Sequence, residues 1–141
     1  PAGGMQAPSR PLEEVVVPEG ALALLILEGG GRLFPITTET ALIGRYDPVT
    51  GTRPDVDLTQ VDINRSVSRR HAKIVAQSGA FLLSEEVGAL NGTFVNGQRL
   101  TSGKPMTIVG GDTVGLGMVS MIFKTPTAKS ASGKGPKAKR D

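Results

Sequence analysis

An all-β domain, a sandwich or a barrel, is what this sequence predicts, and three observations predict it. Strand-like runs follow one another at short spacing, the turns between them are rich in Gly, and no window sustains an apolar period near 3.6. Short strands with frequent turns pack as two facing sheets or close on themselves, and periodicity leaves that choice open.

The first candidate strand, Ala21–Leu27, is the longest apolar run, and Glu28 ends it. It falls far short of the ~18 apolar residues that mark a membrane helix. Gly29-Gly30-Gly31 separates it from Arg32–Ile36, and Ala41–Gly44 follows. Next, residues 45–70 hold few apolar side chains but contain Pro48, Gly51, Pro54 and several Asp. A long irregular stretch on a compact β-domain is usually functional or disordered. This one ends in Arg65-Ser66-Val67-Ser68-Arg69-Arg70-His71, which makes it the first place to look for a site. His71–Gln77 and Ala80–Ser84 flank Ser78-Gly79, and Thr93–Val95 runs into Asn96-Gly97. Both dipeptides suit primed hairpin turns, which need positive φ. Met106–Val109 and Asp112–Leu116 flank Gly110-Gly111, and Val119–Lys124 is the last candidate.

Composition narrows the function classes. The 141 residues fit one domain with tails: a linker over 1–20, a folded body over 21–125 and a disordered basic tail over 126–141. With no cysteine and His71 as the only histidine, disulfides, thiolate zinc sites and multi-histidine metal sites are excluded, and no cofactor is called for. A cysteine-free chain fits a cytoplasmic protein. The start at Pro1, without a basic region, shows no signal peptide and reads as a piece cut from a longer chain. Net charge is +3, but residues 1–20 carry −2 and residues 124–141 carry +5, while the body balances nine basic against nine acidic residues. A nucleic-acid binder would carry its positive excess on the folded part, so nucleic acid is not the expected partner, and neither is a membrane.

Three segments then line up in order: Leu42-Ile43-Gly44-Arg45, Val67-Ser68-Arg69-Arg70-His71-Ala72-Lys73-Ile74 and Asn91-Gly92-Thr93-Phe94-Val95-Asn96-Gly97. Together they resemble the forkhead-associated (FHA) domain, with its Gly-Arg, Ser-x-x-His and Asn-Gly-Thr-x-Val-Asn-Gly signature. The resemblance spans about residues 22–124. It implies an eleven-stranded β-sandwich whose loops at one end bind phosphothreonine peptides, in signalling downstream of a serine/threonine kinase. A methyl pocket favouring phosphothreonine over phosphoserine is a further implication.

The matching residues suit that chemistry. Phosphothreonine carries about −1.5 to −2 charge and three acceptor oxygens. Arg45 offers a rigid fork of donors and Ser68 a hydroxyl, while Arg69 adds positive charge and a backbone N–H. By the family match, Asn91 bonds the peptide backbone beside the phosphothreonine. Gly44, His71, Gly92, Thr93, Asn96 and Gly97 match positions that shape the loops, and Arg70 reads as a solvated neighbour. Leu90 departs from the family, standing where a Ser or Thr that assists binding is common, so one hydroxyl donor is missing. The loop acids Asp47, Asp55, Asp57 and Asp62 would disfavour acidic peptides if they faced the ligand.

Competing readings fit less well. Ser68 and His71 lie three apart at a strand edge with no Gly-x-Ser-x-Gly elbow, which argues against a hydrolase. Gly115-Leu116-Gly117 opens like a dinucleotide loop, but Ser120 occupies the third Gly position. The chain therefore reads as a binding module and not an enzyme, the alternative being an assembly module that contacts partners without phosphate. Thr127, beside the basic tail, raises one regulatory expectation: once phosphorylated, the tail docks into this site or a neighbour's. Peptide affinity unchanged by tail phosphorylation would dismiss it.

Overall fold

The computed structural model describes residues 15–126, so Thr127 and nearly all of the basic tail lie outside the described residues. Eleven strands form, in chain order β1 (Ala23–Leu27), β2 (Leu33–Ile36), β3 (Thr40–Gly44), β4 (Val56–Asp57), β5 (Arg70–Gln77), β6 (Ala80–Glu85), β7 (Thr93–Val95), β8 (Gln98–Arg99), β9 (Met106–Ile108), β10 (Thr113–Leu116) and β11 (Val119–Lys124). No helix occurs among the described residues, hence none long and apolar enough to cross a membrane. Nine strands coincide, to within one or two residues, with the runs read from the sequence. The other two, β4 and β8, are two residues each, too short to show a period of two.

The strands build a β-sandwich. One sheet runs β2-β1-β11-β10-β7-β8 and the other β4-β3-β5-β6-β9. Every pairing is antiparallel except β3 with β4, where Ile43 faces Val56 in a parallel register. Pro35 sits in β2 at a sheet edge, where its missing N–H breaks no ladder. At Ser78-Gly79 and Asn96-Gly97 both residues have positive φ, as primed hairpin turns require.

Alternation fills the space between the sheets. Val119, Met121 and Phe123 of β11 point inward and meet Ile43, Ile74 and Leu83 from the opposite sheet in one buried cluster. Phe81 packs edge-on against Phe123 with ring centroids 5.2 Å apart. The unbroken apolar run of β1 has a separate cause. Ala23 and Leu25 enter the core, whereas Leu24 and Ile26 face outward into a second cluster closed by Val17, with Val15 and Ile122 beside it. Val15 and Val17 thus cap the outer face of β1 and β11, in a stretch that composition alone reads as linker.

Residues 45–70 are irregular but well anchored. Val56, Leu58 and Val67 are buried, so this long excursion is pinned to the core at three points before β5 begins.

Candidate functional site

The site grows from a backbone irregularity. The register of β3 against β5 shifts between Ile43 and Gly44, and a Cβ at Gly44 would stand 1.9 Å from the Arg69 carbonyl oxygen. Only glycine lets the strands approach so closely. Arg45 follows at once, its N–H bonded to Arg69 O at 3.2 Å. The end of β3 and the start of β5 are thereby held side by side, which brings Arg45 next to the Ser66–Arg69 segment.

That segment collects the loops of one end of the sandwich. The Arg45 Nε–H donates to Val67 O. The Asn91 side-chain amide, from the loop joining β6 and β7, donates to Ser66 O at 2.9 Å. The Leu90 N–H donates to Ser68 Oγ at 3.2 Å, and the Met118 N–H, from the β10–β11 turn, donates to Ser66 Oγ at 2.8 Å. Arg45, Ser68 and Asn91, far apart in sequence, are thus gathered around four consecutive residues.

Their remaining hydrogen-bonding capacity defines the chemistry. Only the Nε of Arg45 is engaged among the described residues, which leaves the two terminal nitrogens of a 21% exposed side chain to donate outward. Ser68 Oγ accepts from Leu90, so its own O–H is left to donate. Asn91 is exposed and keeps Oδ1 and a second N–H. The result is a donor-rich patch, one guanidinium and one hydroxyl beside an amide, suited to a compact anion with several acceptor oxygens. No group of three or more His, Cys, Asp or Glu that could hold a metal occurs among the described residues.

His71 is fully buried behind this patch. Its Nδ1 accepts the Ser68 N–H at 3.0 Å, so in the neutral ring the proton sits on Nε2, 2.9 Å from Gly92 O, and is donated there. One imidazole therefore ties the Ser68 loop to the Asn91 loop. Burial holds its pKa below the ordinary 6.5, against the opposing pull of Gly92 O, Glu85 and Asp62. With the folded pKa depressed, its contribution to stability is complete above the unfolded value. It declines as pH falls below about 6.5, because the unfolded chain then binds the proton first. As the only histidine, His71 gives a single imidazole signal in NMR. It should titrate below 6.5 as the Nε2–H tautomer, and titration at or above 6.5 would contradict this arrangement.

The other residues predicted from sequence fall around this centre. Arg69 is near the site, but its guanidinium reaches Asp47 at 3.3 Å and is 47% exposed, so part of its charge is already engaged. Arg70 pairs with Glu86 at 3.2 Å. Gly92 has φ +86, with the Arg99 and Phe94 side chains at about 3 Å from where a Cβ would be. Thr93 is fully buried at the head of β7. Asn96 and Gly97 lie away from the patch in the β7–β8 turn, where Asn96 donates to Asp112 Oδ1 at 3.0 Å and accepts the Thr113 N–H at 2.9 Å. The loop acids mostly bond the loop itself: Asp55 accepts the Leu42 N–H, Asp57 that of Thr59, and Asp47 that of Val49.

Sequence reasoning gave Ser66 and Val67 no role of their own within the Arg65–His71 run, did not single out Met118, and treated Asp62 only as a loop charge. Asp62 is 4% exposed. Its Oδ1 accepts both the N–H and the hydroxyl of Ser66, and its Oδ2 accepts the Val67 N–H. The available signal was an Asp in the same loop a few residues before Ser66, since Asp side chains readily bond nearby backbone N–H groups.

Comparison with known proteins places the chain in a family. The FHA domain family matches residues 41–117. The glycogen accumulation regulator GarA of Mycolicibacterium smegmatis is 32% identical over 119 residues, covering 83% of this chain and 67% of that protein. The oxoglutarate dehydrogenase inhibitor of Corynebacterium diphtheriae is 33% identical over 110 residues, 78% of this chain and 69% of that protein. Among solved structures, a domain from a study of phosphothreonine-dependent FHA domain interactions superimposes with a TM-score of 0.59 at 25% identity, covering 74% of this chain and 97% of that one. The FhaA FHA domain, solved in complex with an intracellular protein domain, gives a TM-score of 0.57 at 26% identity over 72% of this chain and 99% of that one.

Proposed function

We propose, from the premise that this chain belongs to the FHA domain family, that it is a non-catalytic module which recruits cytoplasmic partners phosphorylated on threonine by a serine/threonine kinase. The observation that carries the proposal is the convergence of Arg45, Ser68 and Asn91 on the Ser66–Arg69 segment with outward donors unspent. The phosphoryl group takes the Arg45 fork and the Ser68 hydroxyl, and Asn91 holds the peptide backbone beside it. Charge-assisted hydrogen bonds contribute about 1.5–3 kcal/mol each. Two or three of them supply much of the roughly 8 kcal/mol of a micromolar complex. The relatives named as a regulator and an inhibitor support a module that acts by binding.

Leu90 and Met118 are 80% and 70% exposed. Their backbone N–H groups bond Ser68 and Ser66, so the edge of the patch is apolar where a hydroxyl donor is common in the family. Docking of the chain's own tail through phosphorylated Thr127 would use the same chemistry in cis, and Thr127 lies outside the described residues.

The test is titration with one threonine peptide in phosphorylated and unphosphorylated forms. The expected result is a micromolar Kd for the first and at least about a hundredfold weaker binding for the second. Equal binding of the two would replace this reading with phosphate-independent assembly.

A further inference from the structure

We propose that Asp62 is the positioning residue of the site: its buried carboxylate aims Arg45 and Asn91 together by fixing the backbone of Ser66 and Val67. The inference rests on the phosphate-binding reading above but is argued from different contacts.

Asp62 stands in the β4–β5 loop, outside all three sequence motifs, and its side chain is 1% exposed. A buried carboxylate is tolerated only when its oxygens are satisfied. Here each oxygen serves a different arm of the site. Oδ1 holds Ser66 through its N–H at 3.0 Å and its hydroxyl at 2.9 Å. Ser66 in turn accepts the Asn91 amide on its carbonyl and the Met118 N–H on its Oγ. Oδ2 holds the Val67 N–H at 2.8 Å and lies 3.8 Å from Arg45 Nε. Val67 O accepts that same Nε–H. The guanidinium is therefore fixed through its Nε by one carbonyl and one carboxylate, which leaves its two terminal nitrogens without a hydrogen bond among the described residues.

The backbone around the carboxylate is shaped for this role. Arg65 takes a left-handed φ of 54°, uncommon for a side chain of its size, and its N–H bonds Asp62 O at 3.1 Å. This turn directs the Ser66 and Val67 N–H groups at the carboxylate. Opposite, Gly117 has φ +58 and would place a Cβ 2.5 Å from Ser66 O, so glycine alone lets the β10–β11 turn close over the segment.

The oxygen assignment yields distinct outcomes for two variants. Asp62→Ala removes both arms. Asp62→Asn, with its oxygen kept toward Ser66, sets an NH2 group against the Val67 N–H and Arg45, loosening the Arg45 arm while sparing that of Asn91. The readout, in the ligand-free protein, is solvent exchange of the Arg45 Nε–H and Asn91 side-chain amide protons by NMR, paired with phosphothreonine-peptide affinity and melting temperature. Wild type should protect both protons, and Asp62→Ala should lose both, with affinity weakened about tenfold or more, the equivalent of one lost charge-assisted hydrogen bond. Asp62→Asn should lose protection at Arg45 only, and it carries the test if Asp62→Ala does not fold. A purely structural role would lower the melting temperature with both protons still protected in the folded variants, and that result overturns the proposal. So does unprotected Arg45 Nε–H in wild type. If wild type binds no phosphopeptide, the functional reading fails, whereas the exchange pattern still decides the role of Asp62.

Discussion

Arg45→Ala is expected to weaken phosphothreonine-peptide binding by roughly a hundredfold or more while leaving a folded domain. The magnitude follows from what the substitution removes. Two terminal nitrogens are available to a phosphate, and a charge-assisted hydrogen bond contributes at least about 1.5 kcal/mol, so their joint loss is about 3 kcal/mol. Folding should survive, because the Arg45 side chain is 21% exposed and its only hydrogen bond among the described residues is to Val67 O. The Asp62 carboxylate that it leaves behind still accepts from Ser66 and Val67. A drop of several degrees in melting temperature is the expected structural cost. Arg45→Lys separates charge from geometry: it keeps the cation and loses the fork, so its affinity should fall between wild type and alanine. Isothermal titration of the three proteins reads the series, and wild-type affinity in Arg45→Ala would remove the guanidinium from the site.

Gly44→Ala should have the largest effect on stability. The added Cβ would lie 1.9 Å from Arg69 O, 2.7 Å from Arg69 C and 2.9 Å from Ser68 O. All three atoms are backbone, so no side-chain rotation relieves the clash, and β3 and β5 must separate where their register already shifts. Overpacking of a buried site costs about 1–3 kcal/mol when neighbours can move, and more when they cannot. A loss of about 3 kcal/mol corresponds to a melting temperature lower by 10 °C or more for a domain of this size. Thermal denaturation followed by circular dichroism measures it, and a melting temperature within about 3 °C of wild type would show that the strands do not meet as described. The same separation would move Arg45 away from Ser68, so binding and stability should fall together in this variant, unlike in Arg45→Ala.

Much of the fold was legible because its causes are local. Asn96-Gly97 and Ser78-Gly79 announce primed turns, and β11 alternates cleanly between core and surface. What escaped the sequence depends on partners far along the chain. β4 is a strand only because Val56 and Asp57 meet Ile43 and Gly44 in parallel register. Val17 looks like part of a Pro- and Glu-rich linker until Leu24 and Ile26 present an outer apolar face for it to cover.

The candidate site divides in the same way. Arg45, Ser68 and Asn91 were legible because each sits in a short motif of recognisable spacing. Their convergence depends on backbone groups, namely Val67 O, Ser66 O and the Leu90 N–H, which have no sequence signature. The structural role of Asp62 escaped for the same reason. Its charge would bear on the ligand only if it faced the binding side, and burial and three donors turn it inward. Arg69 shows the opposite case, a motif residue whose guanidinium is already shared with Asp47.

Titration of the isotope-labelled protein with the phosphorylated threonine peptide, followed residue by residue by NMR, shows where the phosphate binds. The largest shifts are expected at the Arg45 side chain, the Ser68 and Arg69 amides and the Asn91 side-chain amide, with none from the unphosphorylated peptide. Phosphate-dependent shifts centred elsewhere, on the Arg70–Glu86 pair or the β7–β8 turn, with the Arg45 and Ser68 signals unmoved, would contradict it.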